Sequence, residues 1–346
     1  MRSLIALLLI ANLAHGGHFA QAAGATDHSF AVQRQFKLGG TGGWDYLTFD
    51  LPTNRLFISR ADRVLVMNAE DGSLVSTIAD TQGVHGVALA ADLGQGFISD
   101  GRADMVTAFD LHSLATLRTI AVHGHNPDAI LYDESSERLF TFNGSSHDIS
   151  VIDPHKGVVV ATIPAGGKPE FAVADRAGHI FFNIEDSSQI SEIDASTARR
   201  IATWPLTHCD SPTGLALDIA HYRLFSACDN GVLAVTDAVS GRHVAEVPIG
   251  EGPDAAAFDA ERGLVFSSNG QDGTLTVIHE DDPDHYSVVA TVTTQKSART
   301  MALDAKGRRI FLVAAEFGPA PAMSADQPRP RPPVLDGTFK VLVVGY

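Results

Sequence analysis

Polar residues of differing chemistry recur along the chain at spacings of about forty to forty-six residues. One series comprises Asp45, Asp128, Glu170, Thr213, Asp254 and Arg299, with His85 and Gly86 in the corresponding place of a shorter second interval. Another comprises Arg60, Asn143, Glu185, Cys228 and Asn269. Asp100 is its nearest match in the second interval; Ala314 holds the aligned place in the last, with Glu316 just beyond. Trp44, His125 and Asn126 stand beside the first series. An arginine would recognise an anion through its planar fork. A glutamate and a histidine would move a proton or hold a metal. Glu170, Glu185 and Asn143 would offer oxygen ligands to a hard divalent cation such as Ca²⁺, whereas His85, His123, His125 and His208 would suit a transition metal. Turn chemistry is the competing explanation. Pro-Asp and Asn-Gly form turns readily, which accounts for Asp128, Asp254, Asn143 and Asn269 but not for His85, Arg60, Glu185 or Arg299. The sequence holds no compact metal-ligand motif, Ser-His-Asp arrangement, phosphate loop or haem motif.

These residues recur because the chain repeats. An apolar segment ending in Asp or its equivalent occurs seven times: Tyr46–Asp50, Gly86–Ala91, Asp128–Asp133, Glu170–Asp175, Thr213–Asp218, Asp254–Asp259 and Thr300–Asp304. A second strand follows, as in Arg55-Leu56-Phe57, Arg138-Leu139-Phe140 and Arg309-Ile310-Phe311. A polar turn such as Asn143-Gly144-Ser145-Ser146 leads to a third, alternating strand at Ile149–Asp153 and a fourth at Val158–Ile163. Alternation with period two between turn residues is the strand signature. Seven four-stranded units predict an all-β, seven-bladed β-propeller of antiparallel blades. The last unit lacks a fourth strand, and Ala31–Leu38 reads like one. The N-terminal segment is therefore expected to pair with Thr338–Val344 and close the ring, sparing the sheet an open edge. The two series then fall on loops of one face, around the mouth of the central channel, where propellers offer convergent polar groups to a ligand. The proline-rich stretch 318–334, with Arg329 and Arg331, replaces a short hairpin turn in the last unit and is expected to be a lid, a docking strip or a solvated insertion.

The 346 residues are 45% hydrophobic and 19% charged, which excludes a disordered chain. The net charge of −16 opposes broad contact with nucleic acid or anionic lipid. At the N-terminus Arg2, the apolar run Leu4–Leu13 and Ala20-Gln21-Ala22 have the layout of a signal peptide over 1–22, leaving a propeller over 23–346. No later segment is long enough to span a membrane. The mature chain is thus expected in the periplasm or outside the cell, as a monomer, with Cys209 and Cys228 joined as a disulfide.

The stretches Phe140–Ser146, Ile149–Asp153 and Val159–Pro169 together resemble one repeat of the YncE-like, or YVTN repeat, family of exported bacterial propellers. That resemblance spans essentially the whole mature chain. It implies a seven-bladed propeller, an exported location and a binding role, and it transfers no catalytic motif. Three functions are compatible with the sequence: a binder of a small molecule or partner at the channel mouth without catalysis, a metal-dependent hydrolase, lactonase or lyase acting there, and a protein-docking scaffold.

Overall fold

A computed structural model of the protein describes residues 30–322 and 332–346. The signal-peptide segment, Arg329 and Arg331 lie outside the described residues. The chain forms seven four-stranded antiparallel sheets arranged in a ring. Blade 1 begins at Trp44–Asp50, blade 2 at Val84–Ala90, blade 3 at Pro127–Asp133, blade 4 at Pro169–Ala174, blade 5 at Pro212–Asp218, blade 6 at Pro253–Asp259 and blade 7 at Met301–Asp304. In each, the strand so named is innermost and the next three follow outward by hairpins. The exception is blade 7, whose outermost strand is Ala31–Lys37. It pairs antiparallel with the last strand, Lys340–Gly345, through partners that include Phe36 with Val341 and Lys37 with Lys340. The two ends of the chain therefore fasten each other, as the missing strand predicts. Helix is confined, among the described residues, to three single turns at Ala91–Leu93, Gly101–Ala103 and Glu185–Ser187. No helix there is long and apolar enough to cross a membrane.

The core lies between blades. The third residue of every second strand is phenylalanine: Phe57, Phe97, Phe140, Phe181, Phe225, Phe266 and Phe311, all essentially fully buried. Second strands are covered by blades on both sides, so they read as continuous apolar runs; outer strands such as Val158–Pro164 alternate exposed and partly covered residues. The repeated aspartate after the inner strand closes a turn. Asp133, Asp218, Asp259 and Asp304 each accept a backbone N–H two or three residues on. Cys209 and Cys228 are bonded, with Cα atoms 5.3 Å apart, as an oxidising compartment would favour. The bond ties the loop entering blade 5 to the end of that blade's second strand.

Candidate functional site

The inner strands converge at the mouth, and their second residues form a ring. Asp45, His85, Asp128, Glu170, Thr213 and Asp254 hold this place in blades 1 to 6, and Arg299 holds it just before the inner strand of blade 7. From Asp254 through Arg299, Asp45 and His85 to Asp128, neighbouring charges alternate in sign. Arg299 ion-pairs with Asp254 on one side and lies 3.3 Å from Asp45 Oδ1 on the other. His85 Nδ1 is 2.6 Å from Asp45 Oδ2 and 3.6 Å from Asp128 Oδ1. Lys168 Nζ is 2.7 Å from Glu170 and also pairs with Glu185. Thr213 is neutral and hydrogen-bonds the Pro253 carbonyl at 3.1 Å.

Crowding shifts these groups. Burial opposes a charged His85 ring, but the hydrogen bond to Asp45 and the field of Asp128 prevail and raise it to about 9. Burial pushes the Asp128 carboxyl up; His85 counters this and Asp45 adds to it. Glu170 is raised by burial and then by Asp128, and held back by Lys168. Just inside the ring, Tyr46 of blade 1 and Phe171 of blade 4 meet edge to face with centroids 5.3 Å apart. Residues from nearly opposite blades can touch only across the axis, so this pair fills the channel beneath the mouth. Burial, then the nearby carboxylates, raise the Tyr46 phenol well above its ordinary range, which keeps it neutral.

Outside the ring the mouth widens on one side. A cleft of about 940 Å³ runs over blades 4 to 7, lined by Glu185, Thr213, Asp229, Asp254, Lys296, Arg299, Glu316, Phe317 and Trp44, among others. A second cavity of about 800 Å³ shares Trp44, Arg299 and Phe317 with it and is bounded by Gly42, Gly43 and Pro332–Val334. Trp44 packs on Phe317 and Phe339, with centroids 5.8 and 5.4 Å away. Its indole Nε1 is buried with no hydrogen-bond partner. Phe317 is exposed at the base of the proline-rich insertion, where it bridges to Val334.

The structure separates the two sequence series. Trp44, Asp45, His85, Asn126, Asp128, Glu170, Glu185, Asp254, Arg299 and Glu316 lie around the mouth. His125 is at the exposed rim, paired with Asp104 at 2.8 Å. Four residues expected there are not available to a ligand. Arg60 is 1% exposed; it stacks 3.8 Å over the Phe339 ring and donates to the carbonyls of Gly42 and Thr41, bracing the loop from below. Asn143 and Asn269 are fully buried and donate to Ser150 and Thr276 on the neighbouring strand. Asp100 is 2% exposed and accepts from Thr107 in the same way, and burial raises it to about 7. All four end a second strand, where the side chain turns into the blade. Glu185 escapes this fate because the turn after Asp175 is one residue shorter, so Ile184 ends the strand and Glu185 projects from the following turn.

The expected oxygen cage of Glu170, Glu185 and Asn143 is not assembled: Lys168 stands between the glutamates, and the Asn143 amide is spent inside its own hairpin. His123, His125 and His208 do not join His85. Among the described residues, side chains able to converge on a metal are Asp45 with His85 and Asp128, and Asp218 with His221 and Glu280.

No protein-family model matches the chain, and no curated protein matches it in sequence. Its fold is widely shared. A chain in a crystal structure of a mitotic checkpoint complex has a TM-score of 0.75 at 15% identity, covering 98% of this chain and 99% of that one. The WD40 repeats of RRP9 give 0.75 at 11% identity, over 91% and 98% of the two chains. Hydrazine synthase from Kuenenia stuttgartiensis gives 0.70 at 15% identity, over 79% and 92%. The likeness is one of fold. It fixes the seven-bladed propeller and leaves the site to be read from its own residues.

Sequence reasoning missed Lys168, Asp229, Lys296 and Phe317. Lys168 was within reach: Gly167-Lys168-Pro169-Glu170 places a cation beside a ring carboxylate. Phe317 belongs to the insertion of blade 7, which has no counterpart in other blades, and Lys296 lies three residues before the aligned Arg299, outside the two series.

Proposed function

We propose that this chain is an exported binding propeller that takes a small anionic molecule with an apolar or aromatic body in the one-sided cleft at its mouth. One observation carries the reading: Arg299 stands beside Trp44 and Phe317 on the wall common to both cavities. An aromatic wall with a guanidinium at its edge suits a flat or apolar body ending in a carboxylate or similar anion. Lys296, exposed on the same cleft, adds a second cation. The rim carboxylates Asp229 and Glu316 would take donor groups of the ligand. The YncE-like resemblance of the repeats and the disulfide support the exported location. A thermal-shift screen of aromatic and aliphatic carboxylates on the full chain, followed by calorimetry of the best ligand on wild type and Arg299→Ala, tests the reading. A loss of about tenfold or more in affinity is expected. Equal affinity would remove Arg299 from the site and defeat the reading.

A further inference from the structure

Three inner strands bring Asp45, His85 and Asp128 together from consecutive blades, each at the second residue of its strand. One ligand atom from each lies within 4.8 Å of the other two. His85 Nδ1 faces two carboxylate oxygens, at 2.6 and 3.6 Å. Nε2 faces the Asn126 Oδ1 acceptor at 3.3 Å. Nε2–H donates to Asn126, which leaves Nδ1 as the atom turned toward the two anions. A lone pair between two carboxylates is repulsive unless a positive centre sits there, either a proton or a metal ion. A ring nitrogen directed at carboxylates, with the other ring N–H held by an amide oxygen, is also how a metal-ligating histidine is oriented.

The carboxylates point the same way. Asp45 gives Oδ1 to Arg299 and keeps Oδ2 on the His85 side. Among the described residues no backbone N–H donates to Asp128; the His85 ring, the Tyr46 phenol and the charges of Asp45 and Lys168 act on it. Gly101 keeps the pocket open, since a Cβ there would lie 2.6 Å from His85 Nε2 and 2.7 Å from Asn126 Oδ1. Around the mouth, the carboxylates of Asp45, Asp128, Glu170, Glu185 and Asp254 outnumber the fixed cations Arg299 and Lys168, so the ring has negative charge to spare. The other cluster shares the two-carboxylate face, with His221 Nδ1 2.6 Å from Asp218 and 3.7 Å from Glu280, and differs in what else those carboxylates hold. Asp218 accepts the Ala220 and His221 backbone N–H groups as well as the His221 ring, and Glu280 accepts the Tyr286 hydroxyl. Asp218 is thus already satisfied by its own turn, at the opposite end of the inner strand.

We propose that Asp45, His85 and Asp128 form a binding site for a divalent transition-metal ion at the channel mouth, with Asn126 and Arg299 orienting the ligands. One imidazole and two carboxylates suit Zn²⁺ or Mn²⁺. Three protein ligands leave positions for water or for a group of the bound molecule. This goes beyond the anion-binding reading, which concerns Arg299 and the aromatic wall; metal binding is read in the absence of any anionic ligand, so each can fail alone.

The test is calorimetric titration of the full chain, stripped with chelator, with Zn²⁺ and with Mn²⁺, alongside visible spectra of the Co²⁺ form. One ion per chain is expected. His85→Gln and Asp128→Asn should each weaken binding by a hundredfold or more, Asn126→Ala by about tenfold, and His221→Gln not at all. A thermal melt of each variant shows whether it is folded. Should His85→Gln not fold, the wild-type protein still decides: Zn²⁺ must shift the nitrogen resonances of one histidine, assigned to His85. Absence of binding, binding retained in folded His85→Gln, or binding lost in His221→Gln would each overturn the proposal.

Discussion

The two ends of the inner strand use the same residue types for opposite purposes. At the far end, Asp133, Asp218, Asp259 and Asp304 repeat, and each is satisfied by backbone N–H groups of its own turn. At the mouth end the equivalent positions carry five residue types in seven blades, and Asp45, His85, Asp254 and Arg299 face one another across blade boundaries. A group bonded to its own turn serves the blade and can be copied seven times. A group that depends on its neighbour's charge cannot be copied, because seven identical charges would repel. Repetition therefore marks what the fold needs, and alternation marks where the fold has been adapted.

The largest expected effect belongs to the repeated set. Phe225 is fully buried and packs on Phe258 and Tyr286 with centroids 5.4 and 5.7 Å away. Phe225→Ala should cost about 3–5 kcal/mol of stability, read by urea unfolding. A loss under about 1 kcal/mol would show that the repeated phenylalanine is not the unit of the core. Next comes the disulfide, which closes a sequence separation of 19 residues. Replacing Cys209 and Cys228 together by alanine should cost about 3 kcal/mol. It should also loosen the wall carrying Ser211, Thr213 and Asp229, so weaker ligand binding is expected beside the lower melting temperature. Unchanged melting under reductant and in the double variant would contradict this.

The same contrast explains what could be read in advance. The blade pattern, the seven copies and the closing strand rest on period-two alternation and on a missing strand, both of which are local. The first series was legible for a related reason: its varied chemistry cannot be explained by a shared turn. The second series was misread at Arg60, Asp100, Asn143 and Asn269. Sequence position placed them at the mouth end of each second strand, but not whether a side chain at a strand end points outward or into the hairpin. That depends on a hydroxyl seven residues on: Thr107, Ser150 and Thr276 for Asp100, Asn143 and Asn269. Such a pairing is visible once the hairpin register is known. The cleft's lopsided shape was illegible, because the Phe317 segment that bounds it repeats in no other blade.

Asp100 sharpens the comparison, since it is a carboxylate in a place where two other blades have asparagine. Its Oδ2 accepts from Thr107 at 2.6 Å, while Oδ1 is buried without a partner. Burial raises the carboxyl to about 7. The unfolded chain releases this proton near the ordinary aspartate value of about 4. Stability should therefore fall as pH rises from about 4 to 7 and stay flat above, because the folded state holds the proton longer. Asp100→Asn should be more stable than wild type by about 1–3 kcal/mol at pH 8. The gain should vanish near pH 4. Equal stability at both pH values would mean that the carboxylate is solvated, contrary to its place in the blade.

The smallest expected change in stability is at Arg299, and it separates fold from function most directly. Its guanidinium is over a third exposed and links Asp254 to Asp45 across the seam where the ring closes. Partly exposed pairs contribute little, so Arg299→Ala should change stability by less than about 1 kcal/mol. The two carboxylates it leaves would then repel, and Arg299→Lys should restore charge but not the two-sided reach. Three variants thus make a series. For the cleft's anionic ligand, wild type should bind best, Arg299→Lys should be intermediate and Arg299→Ala weakest, with all three melting within a few degrees of one another. A large drop in melting temperature for Arg299→Ala would place this residue with the repeated set, as a clasp of the ring. Equal binding by the alanine and lysine variants would show that the planar fork, rather than charge alone, is what the ligand meets.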